Sequence, residues 1–341
     1  MSLRAPFPYF GGKSKVASVV WDRFGSVRNY VEPFAGSCAV LLARPHPQYS
    51  VLAYDGDPNY WGTETINDAD GLVSNFWRAL QADPDGLIDA ANWPVNEADL
   101  HARHLWLVRE KDDLTSRLMA DPAWYDIKAA GYWVWGACAW IGQGWCRGDG
   151  CWTEINGEFV NKNDNDIGVN RQIPHIGDGG RGINRRIPFV EPGSAQIQHH
   201  IEKISDRLRS VRVACGDWSR VTGYSSTHRL GVTGVFLDPP YSEGTVDYNK
   251  GDRTLSSDVR DWCIENGDQP KMRIALCGYE GEHTMLEQQG WTTLDWKTGG
   301  GYGNQGSGQG KKNAFRERIW FSPHCKQPLS ANIDFLDFIS S

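Results

Sequence analysis

The stretch VTGVFLDPPY, residues 232–241, begins as a short apolar segment and ends in an acid, two prolines and a tyrosine. Its first half predicts a buried β-strand, which Gly234 interrupts. Asp238 would then stand at the carboxyl edge of a sheet, where open α/β folds bind their ligands. Pro239 and Pro240 fix the backbone and lack N–H donors, so the carbonyl groups of this turn have no competing donors beside them.

Such a turn suits an amino group as substrate. Asp238 and the Pro239 carbonyl can accept both hydrogens of an exocyclic amine, which draws the nitrogen lone pair out of conjugation with its ring. Tyr241 can stack on the same ring. A strand that simply ends in a proline-rich turn explains these residues equally well, so the motif needs support from elsewhere in the chain.

That support begins with VEPFAGS, residues 31–37, which follows a short predicted strand at 29–31. It precedes a predicted helix through 40–42, with Ser37 as the expected N-cap. A glycine at a strand–helix turn lets a cofactor approach the backbone closely. No basic residue follows it to hold a phosphate, and the neighbouring acid suits a cofactor that carries an ammonium group.

The rest of the chain divides into three stretches and a tail. Residues 1–80 and 196–325 show alternating helix and strand patterns, whereas residues 81–195 are rich in aromatic side chains and then in Gly, Asn and Asp. The middle stretch predicts an inserted lobe with long loops, and residues 326–341 predict a loosely held tail. Apolar periodicity predicts helices over 72–80 and 197–208, strands over 272–277 and 316–321, and seven glycines predict a mobile loop over 299–310.

Composition favours a cytoplasmic protein. The 341 residues are 40% hydrophobic and carry a net charge of −7. We see neither an apolar segment near 18 residues nor a secretion signal, and the eight cysteines are scattered. Residues 51–100 hold ten acids and one base, while residues 181–220 hold eight bases and four acids. This uneven distribution predicts a phosphate-facing side, although an ordinary uneven surface explains it as well.

Three blocks together resemble the signatures of the alpha-group, Dam-like N6-adenine DNA methyltransferases. The blocks are residues 9–13 (YFGGK), 32–37 (EPFAGS) and 238–241 (DPPY). Residues 64–71 and 316–325 are further similar to phage and prophage members. The resemblance covers residues 6–325, with the five blocks in the family's order.

The resemblance implies a Rossmann-like, S-adenosylmethionine-dependent methyltransferase with an inserted, largely helical target-recognition lobe at 81–195. The enzyme would move a methyl group to N6 of an adenine flipped out of double-stranded DNA and release S-adenosylhomocysteine, without a metal. Catalysis would rest on Asp238, Pro239, Pro240 and Tyr241.

The resemblance also implies a cofactor site. Lys13 would lie near the methionine carboxylate, and Asp68, with Asp70 as the neighbouring candidate, would accept hydrogen bonds from the ribose. The expected cofactor residues are Tyr9, Gly11, Lys13, Glu32, Pro33, Phe34, Gly36, Asp68, Asp217 and Trp218. Cys38 departs from the family's second glycine, and a positive φ there would cost of order 1 kcal/mol.

Other residues have two interpretations each. Arg181, Arg185, Arg186, Lys311 and Lys312 are candidates for DNA phosphate contacts or are merely solvated charges. The cysteines at 138, 146 and 151, with a histidine at 175, lack paired zinc-ligand spacing, so free thiols are expected. Most aromatic residues of 124–152, including Trp133 and Trp140, are expected in the core, and His101 and His104 on a solvated helix face.

Two rival functions stay open at this point. A cytosine-N4 methyltransferase uses similar amine chemistry, although an acid at position 238 favours adenine. A DNA-binding protein with impaired catalysis is the other, supported by Cys38 alone. The target sequence is undetermined, as is the biological role: a restriction endonuclease partner, phage self-protection and regulation are all compatible.

Overall fold

A computed structural model describes residues 3–7, 9, 13–45, 62–121, 123–140, 145–146, 152–155, 158–161, 195–241, 252–296 and 316–327. Its strands are β1 (Asn29–Glu32), β2 (Thr63–Asp68), β3 (Trp152–Ile155), β4 (Glu158–Asn161), β5 (Arg212–Cys215), β6 (Thr233–Leu237), β7 (Met272–Tyr279), β8 (Thr292–Asp295) and β9 (Glu317–Phe321). Its helices are α1 (Ala17–Phe24), α2 (Ala39–Leu42), α3 (Gly71–Ala82), α4 (Pro84–Ala91), α5 (Glu97–Ala120), α6 (Ile127–Ala139), α7 (Ala195–Leu208), α8 (Ser219–Thr222), α9 (Asp252–Asn266) and α10 (Thr284–Glu287). The predicted glycine loop at 299–310 and the tail beyond residue 327 lie outside the described residues.

Seven strands form one sheet in the order β5-β2-β1-β6-β7-β9-β8. Strands β5, β2, β1, β6 and β7 pair in parallel, and β9 runs antiparallel to both β7 and β8. The chain therefore winds outward from β1 in one direction and from β6 in the other. This doubly wound order confirms the predicted α/β class and places the ligand crevice at the carboxyl ends of β1 and β6.

The central strand β6 shows why this sequence folds as a buried parallel strand. All five residues are buried, and alternate side chains enter different parts of the core: Phe236 joins one apolar cluster, Val235 and Leu237 the other. A Cβ on Gly234 would come within 2.9 Å of the Phe24 ring, so this glycine lets helix α1 pack directly on the strand. The predicted interruption of the strand by Gly234 is thus wrong.

Helices α4, α5 and α6 fall within the stretch expected to form an inserted lobe. Their apolar residues share a core with the first part of the chain. Phe7 contacts Phe76 and Trp133, with ring centroids 5.0 and 4.9 Å apart, respectively. The helical part of residues 81–195 therefore packs onto α3, and the antiparallel β3–β4 hairpin follows it in the chain.

A buried ion cluster holds β2 and α7 together. Glu64 contacts Arg44 at 2.7 Å and Arg207 at 2.6 Å, and all three side chains are almost fully buried. These two guanidinium groups outweigh the effect of burial, which by itself would raise the pKa of Glu64, and lower that pKa. Removing Glu64 would deprive two buried guanidinium groups of their shared anion.

Two local predictions are wrong. Helix α2 is preceded by Cys38 in a left-handed conformation with no side-chain cap, so Ser37 does not cap it. His104 is buried rather than solvated, stacks on Trp140 and accepts a hydrogen bond from the Cys146 amide through Nδ1. The aromatic residues of the following segment cover this histidine, which α5 periodicity cannot reveal. Trp133 is buried as expected.

Candidate active site

The carboxyl ends of five neighbouring strands bring most of the predicted site residues to one edge of the sheet. Asp217 follows β5, Asp68 ends β2, residues 33–36 follow β1, and Asp238 follows β6. Tyr279 ends β7 next to them. Because the strands are parallel neighbours, residues that are far apart in the sequence line a single crevice.

The turn after β1 is built around Gly36. Its φ is +44°, and a Cβ there would come within 2.5 Å of the Tyr9 ring, so any other residue would be strained and would have to displace Tyr9. The Gly36 amide donates to Asp68 at 2.9 Å, and its carbonyl accepts from the Trp77 indole at 2.9 Å. Cys38 has a φ of +52° and is fully buried. The strained case foreseen for Cys38 is therefore the one that the structure adopts.

Asp68 links this turn to helix α3. Its second carboxylate oxygen accepts from the amide of Asp70 at 2.8 Å. Burial, followed by the charge of Asp70, raises the pKa of Asp68 to about 6. Asp70 itself caps α3 through the Leu72 amide and forms an ion pair of 2.9 Å with Lys111 of α5.

The half-buried Phe34 ring and the largely buried Trp218 ring pack together beside the turn. The rings of Phe34 and Trp218 are 6.2 Å apart at an interplanar angle of 27°. Asp217, on the loop before Trp218, is exposed and accepts from the Ser219 amide at 2.9 Å. An aromatic surface beside an exposed acceptor suits a flat ring that carries an amino group.

Asp238 lies at the opposite side of the turn and is bound by two neighbours. Lys13 Nζ is 2.9 Å from Oδ2, and the Tyr241 hydroxyl donates to Oδ1 at 3.1 Å. Burial opposes the charge of Lys13, but Asp238 and other nearby anionic groups outweigh it, so the pKa of Lys13 is raised. Pro239 is buried and Pro240 half-buried behind the acid.

Glu32 faces the interior of the fold. It accepts hydrogen bonds from the Tyr30 hydroxyl at 2.9 Å and the Leu41 amide at 3.2 Å. Burial raises the pKa of Glu32 to about 8, since these hydrogen bonds only partly offset the loss of water. Glu32 therefore stabilises the start of α2 from below the turn.

The structure adds residues to the site that the sequence analysis did not assign. Glu317, Trp296 and Tyr279 surround the Asp238–Lys13 pair, and Lys111 stands behind Asp68. Glu317 lies in the block at 316–325, which resembled phage methyltransferases without indicating a role. The alternation of β9 could have marked it, because a charged residue stands there among buried positions.

Several predicted site residues cannot be placed. Gly11, Arg181, Arg185, Arg186, Lys311 and Lys312 lie outside the described residues, as do Cys151 and His175. Cys138 and Cys146 are buried free thiols. Within the described ranges, no group of three His, Cys, Asp or Glu side chains could hold a metal ion. No helix in the described part of the chain has the length and apolar character needed to cross a membrane.

Part of the chain matches a known protein family. Residues 9–107 match the model of the D12 class N6 adenine-specific DNA methyltransferase family. The matched part contains Tyr9, Lys13, the Gly36 turn and Asp68, but it ends before Asp238. A search of curated proteins found no match. The family match supports DNA adenine-N6 methyltransferase as the activity of this chain.

Proposed function

We propose that this DNA adenine-N6 methyltransferase uses S-adenosylmethionine as donor and methylates an adenine flipped out of double-stranded DNA. One observation carries the proposal: Asp238, the amine acceptor, lies next to the glycine turn, because β1 and β6 are parallel neighbours. A donor held at the turn and an amine held by Asp238 would meet at the same edge of the sheet. The flip is needed because a paired base inside the duplex cannot reach Asp238.

The cofactor side of the crevice fits S-adenosylmethionine. Gly36 leaves room for close approach, and Phe34 with Trp218 provides a surface for the adenine ring. Asp68 would accept from the ribose hydroxyls and Asp217 from the adenine amine. We assign the remaining contacts to Tyr9, Gly11, Pro33 and Lys13, with Glu32 supporting the turn from inside.

S-Adenosylmethionine supplies an electrophilic methyl group when bound. Asp238 and the Pro239 carbonyl would accept the two hydrogens of the adenine N6 amine and direct its lone pair at that methyl. Tyr241 and Pro240 would support the base. The chain's contribution is then positioning and electrostatics, without a covalent enzyme intermediate.

Recognition of the DNA sequence is proposed for the later part of residues 81–195. The apolar residues of helices α4 to α6 pack in the core and are therefore poor candidates for base contacts. Trp145 packs against the same core, and its indole N–H donates to the Trp133 carbonyl at 3.0 Å. The β3–β4 hairpin and the residues after it are the better candidates, since a two-stranded ribbon fits the major groove. Arg181, Arg185, Arg186, Lys311 and Lys312 would hold phosphates, which position a duplex without reading it.

The decisive experiment compares wild type with Asp238→Ala. Wild type should convert adenine to N6-methyladenine in duplex DNA supplied with S-adenosylmethionine, as measured by mass spectrometry of the digested nucleosides. Asp238→Ala should lose this activity by several orders of magnitude while binding S-adenosylhomocysteine within about twofold. Asp258→Ala, an exposed acid on α9, serves as the matched control.

Each rival function predicts a different result. N4-methylcytosine as product would make the protein a cytosine methyltransferase, and an active Asp238→Ala enzyme would remove Asp238 from the mechanism. A DNA-binding protein with impaired catalysis would bind DNA but show no heat of cofactor binding in calorimetry. Cys38 supports that rival through its strained φ, which costs about 1 kcal/mol. A cost of this size destabilises the turn slightly but does not by itself prevent the cofactor from binding there.

A further inference from the structure

Glu317 stands at the catalytic edge although its strand, β9, lies beyond β7. Strand β9 runs antiparallel to β7 and pairs Glu317 with Tyr279, so the start of β9 meets the carboxyl end of β7. The Tyr279 ring packs on the Tyr241 ring with centroids 4.6 Å apart. Topology therefore brings Glu317 next to the Asp238 turn.

The carboxylate of Glu317 has an unused acceptor. The side chain is 9% exposed, and its Oε2 has no hydrogen-bond partner among the described residues. The Glu317 carbonyl accepts from the Trp296 amide, and Lys13 Nζ lies 5.6 Å from the centroid of the Trp296 ring. A buried unpaired acceptor normally costs free energy, so its presence here calls for a partner that arrives during function.

Lys13 is a cation whose charge acts on Glu317. Its ammonium contacts Asp238 in this structure. The charge of Lys13 also lowers the pKa of Glu317, and the charge of Glu317 in turn raises the pKa of Lys13. Asp238 also influences Tyr241, Cys277 and, across the turn, Glu32. The carboxylates of Asp238 and Glu317 thus both lie within the influence of the buried Lys13 ammonium. Of the two, Asp238 forms the ion pair with Lys13 in this structure.

The proposed mechanism needs Asp238 to face the adenine amine. In the ligand-free arrangement, one oxygen of Asp238 is bound to Lys13 and the other to Tyr241. An acceptor already occupied by an ammonium polarises an incoming amine less well, because its charge is neutralised. Lys13 therefore has to release Asp238. Within this cluster Glu317 is the other carboxylate that can balance the buried ammonium, together with the cofactor carboxylate that we assign to Lys13.

We propose that Glu317 is a positioning residue that receives the Lys13 ammonium when Asp238 turns to the adenine amine. This inference rests on the proposed function. Glu317 itself touches neither the base nor the cofactor in this scheme. Burial raises the pKa of Glu317 to about 7, an effect that Lys13 opposes, so the approach of Lys13 favours the ionised form and Glu317 becomes protonated as the pH falls below about 7.

The first test needs neither DNA nor cofactor. Urea unfolding at about pH 8 is measured for wild type, Asp238→Asn, Glu317→Gln and the double variant. Each single variant leaves Lys13 one carboxylate, whereas the double variant leaves none. The double variant should therefore lose more stability than the two single losses combined. Additive losses would overturn the pairing of Glu317 with Lys13, whatever the enzyme's activity.

The second test measures catalysis. Glu317→Gln should slow single-turnover methylation about tenfold or more while changing cofactor affinity less than twofold. The wild-type rate should fall as pH drops through about 7, and this limb should vanish in Glu317→Gln. Glu280→Gln, an exposed glutamate on the same edge that pairs with Arg318, is the control and should behave as wild type.

A wild-type rate and pH profile in Glu317→Gln would refute the role. Should Glu317→Gln fail to fold, Glu317→Asp keeps the charge on a shorter side chain. This variant should methylate more slowly, and the pH at which its rate falls on the acid side should differ from that of the wild type. An unchanged rate would refute the role equally. If the wild-type protein shows no methylation activity, the proposed function is wrong. The urea unfolding of the four proteins then still tests the pairing of Glu317 with Lys13.

Discussion

Burial of carboxylic acids at the residue scale gives this fold an unusual pH dependence. Glu32 has its pKa raised to about 8, Glu317 to about 7 and Asp68 to about 6, in each case mainly through loss of water. Folding therefore takes up protons over a range where free carboxylic acids are already ionised. Two buried histidines, His104 and His283, have their pKa lowered to about 4 and act in the opposite sense, but only below about pH 6.5.

The first residue-scale prediction concerns Glu32. Above about pH 6.5 the histidines are neutral in both states, whereas folded Glu32 still holds a proton that the unfolded chain has lost. The free energy of unfolding of the ligand-free protein should fall between about pH 6.5 and 8, and Glu32→Gln should remove most of that slope. Urea midpoints across this range measure it.

Glu265→Gln, an exposed position on α9, should keep the wild-type slope. Equal slopes in Glu32→Gln and wild type would show that Glu32 is ionised in the folded protein, in conflict with its burial.

The second residue-scale prediction concerns Gly36. Alanine there would combine a φ of +44° with a Cβ that meets the Tyr9 ring. Since Tyr9 is 41% exposed and can move, Gly36→Ala should fold with a loss of about 1–2 kcal/mol. Its affinity for S-adenosylhomocysteine should drop about tenfold or more, because the methyl group enters the approach to the turn. Calorimetry on the folded variant decides, and an unchanged dissociation constant would place the cofactor elsewhere.

At the scale of elements, helix α5 acts on the candidate site although it lies in the helical part of residues 81–195. Lys111 of α5 pairs with Asp70 at the start of α3 and favours the ionised form of Asp68. Thr115, one turn further on, closes over Gly71, where a Cβ would come within 2.0 Å of its hydroxyl oxygen. Helix α5 therefore packs closely on residues 70–71, at the start of α3.

This contact yields an element-scale prediction. Lys111→Met should raise the pKa of Asp68 further, since the favourable charge is lost. If Asp68 holds the ribose, cofactor affinity should weaken about threefold to tenfold at pH 6 and much less at pH 8. Calorimetric titration with S-adenosylhomocysteine at both pH values is the measurement.

Lys128→Met is the matched control, because Lys128 of α6 packs over the Trp106 ring of α5 rather than beside Asp70. A uniform loss of affinity at both pH values in Lys111→Met would point to a structural effect alone.

For the whole molecule, the question is how a chain of net charge −7 binds DNA. The acids concentrate in residues 51–100 and the bases in residues 181–220, so the total hides an uneven distribution. Affinity for duplex DNA should fall roughly a thousandfold or more between about 50 and 200 mM salt through counterion release.

Alanine at Arg185 or Arg186 should reduce the slope of log affinity against log salt by about one each. Lys271→Ala is the control, since Lys271 precedes β7 at the opposite edge of the sheet. Fluorescence anisotropy over a salt series measures the slopes. A flat salt response in wild type would contradict a phosphate-binding face.

Site preference provides a further whole-molecule comparison. Substitutions in residues 152–161 should change which sequence is methylated, whereas substitutions at Arg181, Lys311 and Lys312 should change affinity alone. The reverse result would move recognition to the glycine-rich loop.

Local sequence was sufficient for four of the strands, for helices α2, α3 and α7 and for the two turns that face the crevice. Strands β1, β6, β7 and β9 and helices α3 and α7 fall where apolar periodicity predicts them, within one or two residues. The reason is that burial on one or both faces leaves a repeat of 2 or 3.6 residues in the sequence itself. The Gly36 turn and the Asp238 turn follow from the same logic, because each comes directly after a buried strand.

The tertiary structure alone decided which charges meet. Lys13 reaches Asp238 across 225 positions of the sequence, and Glu317 arrives from a strand that runs in the opposite direction. His104 is buried by an aromatic segment beyond its own helix, and Cys38 adopts its left-handed backbone inside a packed turn. Such pairings leave no periodic trace, because the energy of a buried charge or a strained backbone depends on neighbours that only the packed sheet and helices bring together.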